Sequence, residues 1–227
     1  MKKIILLLVV SVFLGKCTLN DIPIESPPVP TETTKPSTPK THQIKTTFIP
    51  QAPEKNWDQP WQDACEEASI LTVHYYYQKV NPSLEQILSD YQTIIGESES
   101  HDINLTQMGD AAQRRYGYTP KVIDNPSIDI IKSYLLNDTP VIVTANGKTL
   151  YRENKHFKSG GPWYHSLVIL GYDDNKKQFT VHDVGTQFGA YFKYSYNLMM
   201  ESIHDLPTSG HKEDINSGDK KVLVLLQ

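Results

Sequence analysis

Cys65 lies in Trp61-Gln62-Asp63-Ala64-Cys65-Glu66-Glu67-Ala68, and the only other cysteine is Cys17. Asp63 and Glu66 have the spacing of a capping-box pair, which predicts a helix capped by Asp63 with Cys65 in its first turn. Unpaired N–H groups and the positive end of the helix dipole favour an anion there, so a thiol in that place ionises more readily. Glu66 and Glu67 oppose this unless their side chains point away. A nucleophilic thiolate and a buried, inert cysteine are therefore the two readings of Cys65.

A nucleophile of this kind needs a base. Among eight histidines, His165 has a fitting context: it follows the loop Gly160-Gly161-Pro162-Trp163-Tyr164 and begins the apolar run Ser166 to Leu170. His74 sits inside the first helical stretch, His42 precedes it in a proline-rich segment, and His101, His156, His204 and His211 stand in polar surroundings. A base in turn needs an acceptor to fix its tautomer. Asp183 ends the run Phe179 to His182, and a hairpin through Asp173–Lys177 brings it back beside His165. For a developing oxyanion the Cys65 backbone N–H is one donor. Gln59, six residues upstream, is the expected side-chain donor, with Gln62 as its rival. The predicted order is amide donor, cysteine at a helix start, histidine at a strand start, aspartate on the next strand.

The elements that must position these groups follow from periodicity. Ala64, Ala68, Leu71 and Tyr75 mark one face of a first helix; Ser83, Asn104 and Ser127 open three more, over Ser83 onward, Asn104–Tyr116 and Ser127–Asn137. After Pro140 the texture becomes β-branched and aromatic, in the runs 141–144, 166–170, 178–181, 190–194 and 222–226. Helices ahead of strands predict an α+β fold, N-terminal helices packed on a mostly antiparallel sheet.

Composition bounds what surrounds this body. The chain has 227 residues and a net charge of −4. Residues 56–227 carry 15 basic and 22 acidic side chains, a net −7, which excludes a nucleic-acid partner that would need clustered Lys and Arg. Met1-Lys2-Lys3 followed by the apolar run Ile4 to Leu14 has the form of a secretory signal, so residues 1–17 read as a signal peptide. The ending Leu14-Gly15-Lys16-Cys17 resembles a bacterial lipoprotein signal, with Lys16 where a small residue is usual; lipidation of Cys17 and an incidental cysteine are its two readings. Residues 18–55 hold eight of the 15 prolines and eight threonines, and read as a disordered, extended linker. The expected whole is an exported domain, 56–227, in the extracellular space or cell envelope, with a lipid at Cys17 as its one membrane contact.

Beyond composition, Gln59 to Ile70 resembles the amide-donor and nucleophile segment of papain-like cysteine peptidases. His165-Ser166-Leu167-Val168-Ile169-Leu170-Gly171-Tyr172-Asp173-Asp174, with Phe179-Thr180-Val181-His182-Asp183-Val184-Gly185-Thr186, resembles one branch of them, the bacteriocin-processing, double-glycine-leader peptidases and their stand-alone relatives. The resemblance implies a papain-like fold and a cysteine peptidase that hydrolyses a peptide bond through a thioester. It assigns Cys65 as nucleophile, His165 as proton shuttle, Asp183 as its orienting group and Gln59 as oxyanion donor. It implies no metal and no cofactor, and a peptide or protein substrate, with cell-wall peptide as an alternative. Many relatives have Asp-Pro where this chain has Asp183-Val184, and transporter-borne ones have Cys-Gly where it has Cys65-Glu66. A peptidoglycan cross-bridge amidase or acyl transferase with the same triad, and an inactive envelope binding module, are the rival functions.

Overall fold

The first helix begins where its sequence allows an apolar face to meet the sheet, and the rest of the fold is arranged around that contact. The computed structural model describes residues 38–95 and 102–227. The expected signal peptide, Cys17 and the first part of the expected linker lie outside the described residues. Helices α1 (Cys65–Gln78), α2 (Leu84–Ile95) and α3 (Leu105–Tyr116) precede most of the sheet, as the sequence predicts. Asn104 caps α3 with a complete capping box, and Gly117, in the left-handed region at φ 76°, stops it. Ser127 caps α4 (Ile128–Leu136) through the Ile130 N–H.

The strands are β1 (Thr41–Gln43), β2 (Thr119–Asp124), β3 (Val141–Asn146), β4 (Tyr164–Asp173), β5 (Gln178–His182), β6 (Phe192–Ser195) and β7 (Lys221–Leu226). They form one antiparallel sheet in the order β2-β7-β3-β4-β5-β6, with β1 added to the far end of β4. Two short helices, α5 (Gly147–Leu150) and α6 (Tyr196–Ser202), follow β3 and β6. The fold is α+β, as expected. Strand β4 is its central piece: nine of its ten residues are buried, and α1 packs across it. Continuous burial of Leu167 to Leu170 explains why that stretch is apolar without alternation. No helix of the described residues is long and apolar enough to cross a membrane.

The linker expected over 18–55 is corrected at its C-terminal end. Thr38 onward belongs to the same compact unit as the rest of the domain. Thr41–Gln43 pair with Gly171–Asp173, and Ile44, Ile49 and Ala52 are buried. The physical reason is that β4 runs past the end of β3, and the backbone groups it leaves open there take a strand from this segment. A few apolar anchors among prolines suffice for that. The expected Asp63 cap is also corrected. Residue 64 occupies the N-cap position of α1 without a side-chain bond, because a short 3-10 helix, Trp61–Asp63, runs directly into α1.

Candidate active site

Cys65 is the first residue of α1 and is buried, 4% exposed, yet it lines an open cavity of about 470 Å³. Ser69 Oγ donates to the Cys65 carbonyl at 2.9 Å, and Ser166 Oγ donates to Ser69 Oγ at 2.9 Å. These two serines fasten the start of the helix to β4. As a result, the Ser166 backbone N–H reaches the Cys65 sulfur at 3.3 Å. The residue before that amide is His165, which lines the same cavity. The sequence brings cysteine and histidine to one place across a hundred positions because α1 lies on β4, whose second residue is His165.

Asp183 completes the second half of the site. Val168 pairs with His182, so Asp183, one residue further on, lies on the same face of the hairpin as His165. His165 Nε2 and Asp183 Oδ1 are 2.9 Å apart, with both side chains buried. Three more donors converge on this carboxylate: Tyr194 OH at 2.5 Å and Asn154 Nδ2 at 2.8 Å on Oδ2, and the Gly185 N–H at 3.3 Å on Oδ1. Burial alone would raise the Asp183 carboxyl. The charge and hydrogen bond of His165, with the bonds from Tyr194 and Asn154, outweigh it and hold Asp183 below the usual carboxylate range. Asp183 is therefore held as an anion that can only accept, so His165 Nε2 donates to it and Nδ1 is the ring nitrogen left for other partners. Phe157 packs edge-on against the imidazole at 5.3 Å. Gly185 has no room for a side chain: a Cβ there would sit 2.6 Å from His165 Cε1.

The thiol departs from its expected behaviour. Burial, followed by the charge and hydrogen bond of Glu66, pushes Cys65 well above its ordinary pKa, and the Ser166 N–H opposes this only in part. Cys65 Sγ is 2.9 Å from Glu66 Oε2, which replaces the thiolate expected from the helix start by a thiol bonded to the Glu66 carboxyl group.

Gln59 also departs. Its side chain is exposed, its Nε2 donates to Asp63 Oδ2 at 2.7 Å, and it is not part of the cavity lining. The 3-10 turn at Trp61–Asp63 folds it back onto Asp63, so six positions of chain do not carry it to the sulfur. Gln62, its rival, does line the cavity. Gln51 lines it too: it is buried, and its Nε2 donates to the carbonyls of Trp61 and Gln62 at 2.9 and 2.8 Å. Gln51, Asn154, Tyr194 and Gly185 are absent from the sequence-based site. Gly185 alone carried a local sign, as the glycine beside a turn at the end of β5.

The cavity walls are aromatic. Trp163 and Phe188 are 40% and 67% exposed, and both line it with Trp57, Phe157 and Tyr164. Lys148 Nζ lies 4.5 Å from the Trp163 ring centre and Phe188 stacks on His156 at 4.7 Å. Lys212 bonds Asp102 at 3.0 Å and approaches Asp63 at 3.6 Å at its edge. Among the described residues no three His, Cys, Asp or Glu side chains gather as a metal site.

A cysteine at the start of a helix, laid on an antiparallel sheet that carries a His–Asp pair, is the arrangement of a papain-like cysteine peptidase. Residues 43–204 match the model of the Peptidase_C39 like family, and the chain belongs to that family and so to the cysteine-type peptidases. The crystal structure of a protein described as a C39-like peptidase, from Bacillus anthracis, shares the fold at 12% identity and a TM-score of 0.52, covering 83% of this chain and 98% of that one. UfSP from C. elegans aligns over 86% of this chain and 35% of its own, at 14% identity and a TM-score of 0.33. No curated protein matches the chain in sequence.

Proposed function

We propose that the domain hydrolyses peptide bonds with Cys65 as nucleophile, His165 as proton carrier and Asp183 as the anion that orients His165. The observation that carries this reading is that Cys65 and His165 line one open cavity, with Asp183 buried and hydrogen-bonded to His165. In the first step the S–H proton passes to His165 Nδ1 as sulfur attacks the carbonyl carbon. The imidazolium, stabilised by Asp183, then gives that proton to the leaving amine, and a thioester remains on Cys65. Water attacks the thioester with His165 as base, releasing the acid and restoring the thiol. The Cys65 N–H, in the first helical turn, and the Gln62 side-chain amide serve the oxyanion. Aromatic walls suit a peptide segment with apolar side chains near the scissile bond.

The test is digestion of a diverse peptide mixture by the full chain, with new termini read by mass spectrometry. Cleavage that disappears in Cys65→Ala and in His165→Ala supports the proposal. Cleavage that survives Cys65→Ala, or a correctly folded protein that cuts nothing and forms no adduct with a peptidyl thiol-reactive probe, overturns it.

A further inference from the structure

Glu66 has no part in the reaction just described, although it touches the nucleophile. It is fully buried, with Oε2 2.9 Å from Cys65 Sγ and Oε1 accepting the Ile103 N–H at 3.0 Å. Tyr164 OH donates to the Ile103 carbonyl at 2.5 Å, so the backbone that holds Glu66 is itself held. The carboxylate is thus fixed from the side away from the sulfur, and its second oxygen faces the thiol.

Charges around the pair come from every neighbouring element. Glu67 follows on α1 and raises Glu66, Asp102 raises both Glu66 and Cys65, Asp63 acts on Glu67, Asp205 acts on Tyr164, Tyr91 and Tyr164 face Cys65, and His165 lines the same cavity. Lys212 is already engaged by Asp102 and Asp63. Burial and Glu67 raise Glu66, while the bonds from Cys65 and Ile103 lower it. A carboxylic acid is intrinsically stronger than a thiol by about 4 pH units, and burial raises both groups, so Glu66 loses its proton before Cys65 does and faces the thiol as an acceptor when the thiol titrates.

We infer that Glu66 is a positioning residue that keeps Cys65 as a neutral thiol in the resting protein by accepting its S–H in a hydrogen bond. The sulfur becomes nucleophilic only as the S–H bond breaks and an N–H bond forms at His165, the electron pair left on sulfur entering the new bond to carbon. The inference rests on the proposed role of Cys65, but the thiol's protonation is read directly, whether or not a substrate is ever cleaved.

The experiment measures iodoacetamide alkylation of the full chain against pH, read by mass spectrometry on the Cys65 peptide. Glu66→Gln retains an oxygen for the Ile103 N–H and removes the charge, and the alkylation midpoint is expected to fall by about one pH unit or more. Glu67→Gln removes a neighbouring charge that does not touch sulfur and is expected to move the midpoint by less than half as much. An unchanged or higher midpoint in Glu66→Gln, or equal shifts in the two variants, overturns the inference. A second readout needs no folded variant at position 66. At neutral pH the unsubstituted chain should show a Cys65 S–H stretching band, identified by its loss in Cys65→Ala and displaced to lower frequency than a thiol in water. Absence of that band means a resting thiolate and also overturns the inference.

Discussion

The Tyr194 hydroxyl donates to Asp183 Oδ2 at 2.5 Å, opposite the oxygen that faces His165. Tyr194 comes from β6 and Asp183 from the end of β5, so the hairpin that creates the His–Asp pair is followed by a strand that fixes it. A buried carboxylate must have each oxygen satisfied to remain charged, and Tyr194 and Asn154 share that task on Oδ2.

Tyr194→Phe should therefore act through the charge on Asp183 and not through packing, since the ring remains. Loss of a hydrogen bond to a charged group costs about 1.5–3 kcal/mol. Asp183 lies below its unfolded value, so its contribution is present above the ordinary carboxylate range and is lost as pH falls through the lower folded value. With one donor gone, the folded value rises toward the unfolded one, so the acid-side loss is smaller and ends at higher pH, and the deficit of the variant is largest at neutral pH and shrinks in acid. Urea denaturation from pH 3 to 7 checks both points. A stability deficit that does not depend on pH would count against the argument.

Gly185→Ala should damage catalysis more than folding. The new methyl would lie 2.6 Å from His165 Cε1 and 3.0 Å from Phe157 Cε1, so the ring must move. A displacement of about 1 Å in a reacting group costs about 100-fold in rate. The expected outcome is a kcat fall of about that size with KM little changed, measured on any peptide the parent cleaves.

His182 predicts an acid-side weakness of a different origin. Among the described residues neither of its buried ring nitrogens has a hydrogen-bond partner, the ring lies between Phe48 and Tyr191, and burial pushes its pKa down to about 4. The unfolded chain binds a proton here below the ordinary value of about 6.5, and the folded chain does so only near 4. Stability is thus full above pH 6.5 and declines as pH falls toward 4, by about 3 kcal/mol in all. Glu67, raised by burial to about 7, has the opposite sign: its contribution declines as pH rises from its unfolded value toward 7. The two windows overlap with opposite sign, so thermal unfolding against pH should show stability falling as pH rises between 4.5 and 7 in His182→Phe, and a steeper loss as pH falls from 6.5 to 4 in Glu67→Gln.

Much of this site could be read from the chain because hairpins are local. The short turn at Asp173–Lys177 and the strands on either side are enough to place Asp183 beside His165, and a helix start is enough to place Cys65. What could not be read depends on partners distant in sequence or on side-chain direction. Strand β2 contains Pro120 and does not look like a strand; it exists because β7, a hundred residues later, pairs with all six of its residues at the sheet edge, where a proline is tolerated. Strand β1 hides in a segment whose composition suits a spacer. Asn154 and Tyr194 carry no local signal, since their importance comes from Asp183 alone. The state of the thiol is not legible in the chain, because a helix dipole is weaker than desolvation together with the Glu66 carboxyl group in contact.

Gln62 and Gln59 give the clearest separation between chain spacing and geometry. Gln62 lines the cavity with Cys65, and Gln51 bonds to its carbonyl and that of Trp61, so the turn carrying it is braced from beneath. Gln59 points to Asp63 instead. If Gln62 supplies the oxyanion donor, Gln62→Ala should lower kcat by about 100- to 1,000-fold with the fold intact. Gln59→Ala should change kcat less than about threefold, a surface change worth under about 0.5 kcal/mol. Kinetics of the two variants on one peptide decide the matter. A large loss in Gln59→Ala with little in Gln62→Ala would return the donor role to the residue six positions before the cysteine. That result would also mean that the turn at Trp61–Asp63 rearranges when substrate binds.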